Sequence, residues 1–97
     1  VADPEHEPVE FLITDFGVLV NGEEPPSCLR IPESFAVRFV NNAEGDATVD
    51  IGFGPQMVAA GVTVNSAPLG DMFFVGDTFE ITIAELGVSV EVKVIAA

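Results

Sequence analysis

The sequence predicts an all-β domain, an antiparallel sandwich of about seven short strands. Apolar and polar residues alternate with a period of two in several runs, the pattern of a strand with one buried face. Turn signals rich in Gly, Pro, Asn and Asp separate those runs at the spacing of a sandwich. The apolar residues, 48% of the chain, are weighted toward Val, Ile and eight Phe with no Trp or Tyr, and these are strand formers. Ninety-seven residues suit one domain with one core.

Residues 1–8 carry Asp3, Glu5 and Glu7 between Pro4 and Pro8. That composition buries nothing and predicts a flexible acidic tail, with the folded domain spanning 9–97. From Val9, the run VEFLITDFGVLV sets Val9, Phe11 and Ile13 on one face, then Phe16, Val18 and Val20. The change of phase across Asp15 predicts a bulge or bend. Asn21-Gly22 and Pro25-Pro26 make a turn and loop before the short strand CLRI. After Pro32 and Ser34, FAVRFVN turns Phe35, Val37 and Phe39 inward. The loop NNAEGDA follows, then TVDIGF with Val49, Ile51 and Phe53 on one side. Gly54-Pro55 closes that strand, and PQMVAAG, with Pro55 near its start and Gly61 past its end, predicts one short helical segment. GVTV is another strand. The final VGDTFEITIAELGVSVEVKVIAA is a hairpin in which Phe79, Ile81 and Ile83 oppose Val88, Val90, Val92 and Val94, while Glu80, Thr82, Ser89, Glu91 and Lys93 face water.

Two stretches resemble the cupredoxin family. CLRIPESFAVRFVNNAEGDATVDIGF is similar to the segment in which a turn precedes a V-x-F-x-N strand, then a loop, then a strand that begins with a copper-binding His. VGDTFEITIAELGVSVEVKV resembles the later segment with the turns Gly76-Asp77-Thr78 and Leu86-Gly87, which leads into a copper-binding Cys. Together they cover about half of the chain, and the resemblance implies a Greek-key β-sandwich whose relatives mostly carry electrons through a type 1 copper. This sequence departs from that pattern at the ligands. The family His falls near Ala47, Thr48 or Val49, and the Cys near Lys93. An immunoglobulin-like module shares the sandwich and differs in topology.

A type 1 site takes a thiolate, two imidazoles and usually a weak axial thioether. The chain has one His and one Cys, so His6, Cys28, Met57 and Met72 are the only candidates for a metal site, and no cofactor is expected. Met57 and Met72 are read first as core fillers, and Cys28 as a buried thiol at a strand entrance. Asn41, Glu44, Asp46 and Asp50 put hard oxygen donors of the kind calcium takes in or beside one loop, without EF-hand spacing; a polar turn explains the same residues. No catalytic residues are assigned, because a nucleophile with a His base would depend on His6 in the tail. Arg30, Arg38 and Lys93 fall on the polar phase of their strands, where Glu80, Glu91 or Asp50 are expected to pair with them.

Sixteen acidic residues against three Lys and Arg give a net charge of −13. Such a charge repels phosphate backbones and anionic lipid, which argues against nucleic acid and membrane-surface partners. It favours a protein partner that is cationic, or an oligomeric neighbour. No run reaches the ~20 apolar residues of a membrane span, so no membrane insertion by this chain is expected. The start VADPEHEPVE suits a mature periplasmic or extracellular protein whose leader has been removed. The expected role is a non-catalytic structural or protein-recognition subunit, in which a strand such as VSVEVKVI adds to a partner's sheet if it lies at an edge. The alternative is an electron-transfer or metal-binding protein, or an accessory subunit of a membrane-bound electron-transfer complex, with ligands shared between chains.

Overall fold

The computed structural model describes residues 8–97. His6 and nearly all of the expected acidic tail lie outside them. Nine strands follow in order: β1 Val9–Thr14, β2 Gly17–Val20, β3 Cys28–Pro32, β4 Val37–Asn41, β5 Ala47–Asp50, β6 Pro55–Val58, β7 Thr63–Asn65, β8 Thr78–Ile83 and β9 Val88–Ile95. They form two sheets, one ordered β2-β1-β4-β7 and the other β3-β9-β8-β5-β6. The β1–β4 and β3–β9 pairs are parallel, and the other pairs are antiparallel. Because the chain changes sheet after β2, β3, β4, β6 and β7, the two layers are woven into one all-β Greek-key sandwich.

The period-two pattern decides what lies between the layers. Phe11, Ile13, Val37, Phe39, Ile81, Ile83, Val90, Val92 and Val94 are all buried, and they alternate with outward residues along their strands. The last hairpin has the expected pairing, with Phe79 opposite Val92, Ile81 opposite Val90 and Ile83 opposite Val88. Its turn is a single 3-10 turn, Ala84–Leu86, closed by Gly87 at φ 64°. A side chain is strained in that left-handed conformation, which is the physical reason for glycine there.

Two differences from the sequence reading raise the count from about seven strands to nine. The phase break at Asp15 is a hairpin turn rather than a bulge. β1 and β2 pair antiparallel with Thr14 opposite Gly17, and Thr14 Oγ1 donates to Gly17 O (2.9 Å) while accepting from Phe16 N (3.2 Å). Phe16 therefore stands at the turn tip, 100% exposed, instead of in the core. The helix expected over 55–61 is absent: Pro55–Val58 is strand β6, with Thr48 opposite Met57 and Val49 opposite Gln56. Pro55 opens the strand and β6 is an edge, the position where a residue without an N–H is tolerated. No α-helix occurs among the described residues, only the 3-10 turns Leu69–Asp71 and Ala84–Leu86.

Two further expectations are corrected. VSVEVKVI is not an edge: β9 lies between β3 and β8, so its backbone groups are spent within the sheet. The strand read as TVDIGF ends at Asp50, and Phe53 is 65% exposed in the turn that follows.

Candidate functional site

One end of the sandwich gathers the β1–β2 turn, the loop 42–46, the connection 59–62 and the β8–β9 turn. Asn41 organises it. This residue is completely buried at the end of β4. Its Nδ2 donates to Gly45 O (3.0 Å) and Val58 O (2.9 Å), and its Oδ1 accepts from Ala43 N (2.9 Å). Its backbone N donates to Val62 O and its carbonyl accepts from Gly61 N. A buried amide is stable only when its donors and acceptors are matched, and here it joins the 42–46 loop to the β6–β7 connection. Asn42 N donates to Ile13 O and Glu44 N to Asp15 Oδ1, tying in the β1–β2 turn.

The β8–β9 turn is fastened to β5 by Glu85. Thr48 donates to it twice, from its backbone N to Oε1 (2.6 Å) and from its hydroxyl to Oε2 (2.8 Å). These bonds, the backbone one foremost, together with the residue's own backbone N–H, hold the Glu85 carboxyl below the ordinary glutamate range. Hydrogen bonds to the charged form favour it. Under this arch lies a cavity of about 200 Å³ lined by Ile13, Asp15, Asp46, Ala47, Glu85 and Leu86 among others.

The sequence-derived donors do not converge. Of the three positions near which the resemblance sets the family His, Ala47 and Val49 are buried in the core and Thr48 is bonded to Glu85; none is a strong metal ligand. Lys93, at the place of the Cys, pairs with Thr78 at the far end of the hairpin, whereas Val49 pairs with Ile83 next to the turn. Five residues of strand, roughly 17 Å at about 3.3 Å each, separate the two levels. Cys28 lies on the outward face of edge strand β3, half-buried rather than enclosed, with Sγ 3.9 Å from Glu91 Oε1. Met57 is on the opposite edge strand, β6, across four strand spacings or roughly 19 Å, and at 66% exposed it is no core filler. Met72 packs half-buried against the core. Among the described residues no group of three or more His, Cys, Asp or Glu side chains is placed to hold a metal ion. The residues present do not fit a type 1 copper.

The hard-oxygen set is also dispersed. Asn41 faces inward with its side chain committed. Asp46 Oδ1 accepts from Ala60 N, and Asp50 sits at the other end of β5 capping Gly52 N at 2.7 Å. Arg38 differs from expectation too. Arg38 donates from Nε to Asn65 Oδ1 (2.9 Å), a neutral partner across β4–β7. Arg30 stands beside Lys93, and Glu80 opposite Glu91 with Ser89 Oγ donating to Glu80.

The other end of the sandwich was not read as a site from the sequence. Phe53, Phe73 and Phe79 form a ladder there, with ring centroids 5.3 Å and 4.2 Å apart and the second pair nearly parallel at 2°. Beside it a cavity of about 390 Å³ opens between the sheets, its walls including Phe39, Val49, Ile51, Phe53, Val64 and Met72. Phe74 and Val75 follow in the chain at 82% and 52% exposed. The apolar run MFFV inside DMFFVGD was the available signal.

With the topology in view, comparison with solved structures is decisive for the fold. A purple cupredoxin from Nitrosopumilus maritimus superposes with a TM-score of 0.57 at 13% identity, covering 89% of this chain and 98% of that one. The fold is cupredoxin-like. The copper-containing nitrite reductase of Thermus scotoductus SA-01 also matches, with a TM-score of 0.54 at 16% identity over 97% of this chain. This chain spans only 24% of the length of that reductase. No protein-family model matches the sequence, and no curated protein does. The cupredoxin-like domain is thus one that lacks the copper ligands of the frame it shares.

Proposed function

We propose that this chain is a non-catalytic recognition or structural subunit of a periplasmic or extracellular assembly, using a cupredoxin-like frame without copper. The observation that carries this reading is what occupies the family's ligand positions. Where the resemblance sets the family His stand Ala47, Thr48 and Val49, and near the place of the Cys stands the solvent-facing Lys93; none of these side chains is a copper ligand of the type 1 kind. The turn at the end beside Ala47 is tied to β5 by the two bonds that Thr48 donates to Glu85. Large apolar side chains are instead spent on exposed loops, Phe16 at one end and Phe53, Phe74 and Val75 at the other. Exposed aromatics held on a rigid scaffold are the usual anchors of protein recognition. A compartment outside the cytoplasm accords with the fold. No helix among the described residues is long and apolar enough to cross a membrane.

The second reading, an electron-transfer or metal-binding role with ligands shared between chains, draws on two observations. Of the similar structures named above, one is a cupredoxin and one a copper-containing nitrite reductase, and Cys28 faces outward on an edge strand where a neighbouring chain could approach. Gentle purification from the source organism distinguishes them. Recovery in a stoichiometric complex that contains no copper at this chain supports the recognition role. Elution as a free 10.2 kDa protein carrying copper contradicts it.

A further inference from the structure

We propose that the end of the sandwich bearing the phenylalanine ladder is a docking site for a basic polypeptide segment that inserts an apolar side chain. The proposal rests on the recognition reading above and assigns its surface and partner chemistry.

The apolar groups of this end lie on neighbouring stretches of chain. Phe53 belongs both to the wall of the 390 Å³ cavity and to the ladder, where it stacks on Phe73. Phe74 and Val75 follow Phe73 in the chain and are exposed to solvent. The loop that presents them is braced. Met72 N and Phe73 N donate to Leu69 O, Gly76 N to Val94 O, and Asp77 N to Phe74 O. The Asp77 carboxylate accepts from Phe74 N at 2.8 Å. Gly70 lets the Leu69–Asp71 turn press against Glu33: a Cβ there would meet the Glu33 backbone oxygen at 3.2 Å. A loop whose backbone is braced in this way has little backbone freedom left to lose when a partner covers it.

Charge selects the occupant. Asp71 and Asp77 bracket the run MFFV in sequence and are exposed, Glu33 lies against Gly70, and Asp50 precedes the turn that carries Phe53. Residues 50–55 and 66–77 contain no Lys or Arg. Two basic strand residues border this end on outward sheet faces: Arg38, committed to the cavity-lining Asn65, and Lys93, opposite Thr78. A second copy of this chain, also at −13, is repelled, as are nucleic acid and anionic lipid. A partner with Lys or Arg around an apolar anchor gains from the carboxylates, from the phenyl faces by cation–π contact, and from the apolar cavity.

The probe is a hexapeptide, Lys-Lys-Leu-Trp-Lys-Lys, titrated into the full chain. The protein has no Trp or Tyr, so fluorescence reports only the peptide's indole, and amide chemical shifts locate it. The expected result is saturable blue-shifted binding that moves the amides of Phe53 and of residues 71–77, weakens with salt, and falls by about tenfold or more in Phe74→Ser. Phe16→Ser, at the opposite end, leaves affinity unchanged. Three results would overturn the proposal: shifts clustered around Phe16, an unchanged affinity in Phe74→Ser, or equal binding of Lys-Lys-Gly-Ser-Lys-Lys. Uptake of the chain by neutral phosphatidylcholine vesicles, lost in Phe74→Ser and stronger than peptide binding, would also overturn it in favour of a membrane. None of these results depends on copper. A chain that docks the peptide here yet holds stoichiometric copper would sink the copper-free role alone, and binding at Phe16 would leave that role standing without this site.

Discussion

Replacing Asn41 by alanine isolates the polar centre of the Ala47 end of the fold. The substitution deletes three side-chain hydrogen bonds, to Gly45 O, Val58 O and Ala43 N, and of their partners Val58 is buried, Ala43 half-buried and Gly45 exposed. Each such bond contributes about 1 kcal/mol net, and abandoned buried partners cost at least that much again if water cannot reach them. The three bonds together give an expected loss of about 3 kcal/mol, to which the buried Val58 carbonyl adds if water cannot reach it, a large fraction of a typical total of ~5–15 kcal/mol. Urea unfolding followed by far-ultraviolet circular dichroism measures it, since the chain lacks the indole and phenol used for intrinsic fluorescence. The sign of the aspartate variant adds a second check. A carboxylate cannot donate to the Gly45 and Val58 carbonyls, so Asn41→Asp is expected to be less stable than Asn41→Ala at neutral pH and to recover when protonated in acid. A loss below about 0.5 kcal/mol for Asn41→Ala, with the aspartate variant equally stable, would refute the role given to this residue.

Two other outcomes follow from the electrostatics. Glu85 has a folded pKa below its unfolded value because Thr48 donates to the carboxylate. The stability it contributes is therefore present above the ordinary glutamate range and lost as pH falls through the lowered value; the difference between wild type and Glu85→Ala in chemical unfolding is expected to shrink across that acid window, and a difference that is constant with pH would contradict it. Because the charge of −13 opposes compaction, the melting temperature is expected to rise from low to moderate salt, and a flat or falling curve in calorimetry would contradict it.

The parts of the fold legible in the sequence are those governed by a period of two between strong turn signals. The final hairpin is the clearest case: Phe79, Ile81 and Ile83 lie against Val92, Val90 and Val88, and a slip of one residue would turn one strand's apolar set to solvent. Periodicity failed where a tight turn imitates a phase shift. In TDFGVL the turn spans only Asp15 and Phe16, and nothing local separates a bent strand from a hairpin until Phe16 is seen in solvent. It failed again at PQMVAAG, where Pro and Gly at the two ends are helix punctuation, but pairing with Ala47–Asp50 supplies hydrogen bonds that a two-turn helix in water could not match. Asn41 was read among loop oxygens because its burial depends on β6, the strand that had been missed. The Phe53–Phe73–Phe79 ladder joins three separate stretches, and contacts between sheets have no signature along the chain.

Copper titration of the purified chain tests the central claim most directly. Copper(II) or copper(I) is added in excess, unbound metal is removed by gel filtration, and the protein is assayed for metal and scanned for visible absorption. The expected result is far less than one copper per chain and no intense thiolate-to-copper band, unchanged in Cys28→Ser. One tightly held copper per chain with such a band, abolished by Cys28→Ser, would contradict it.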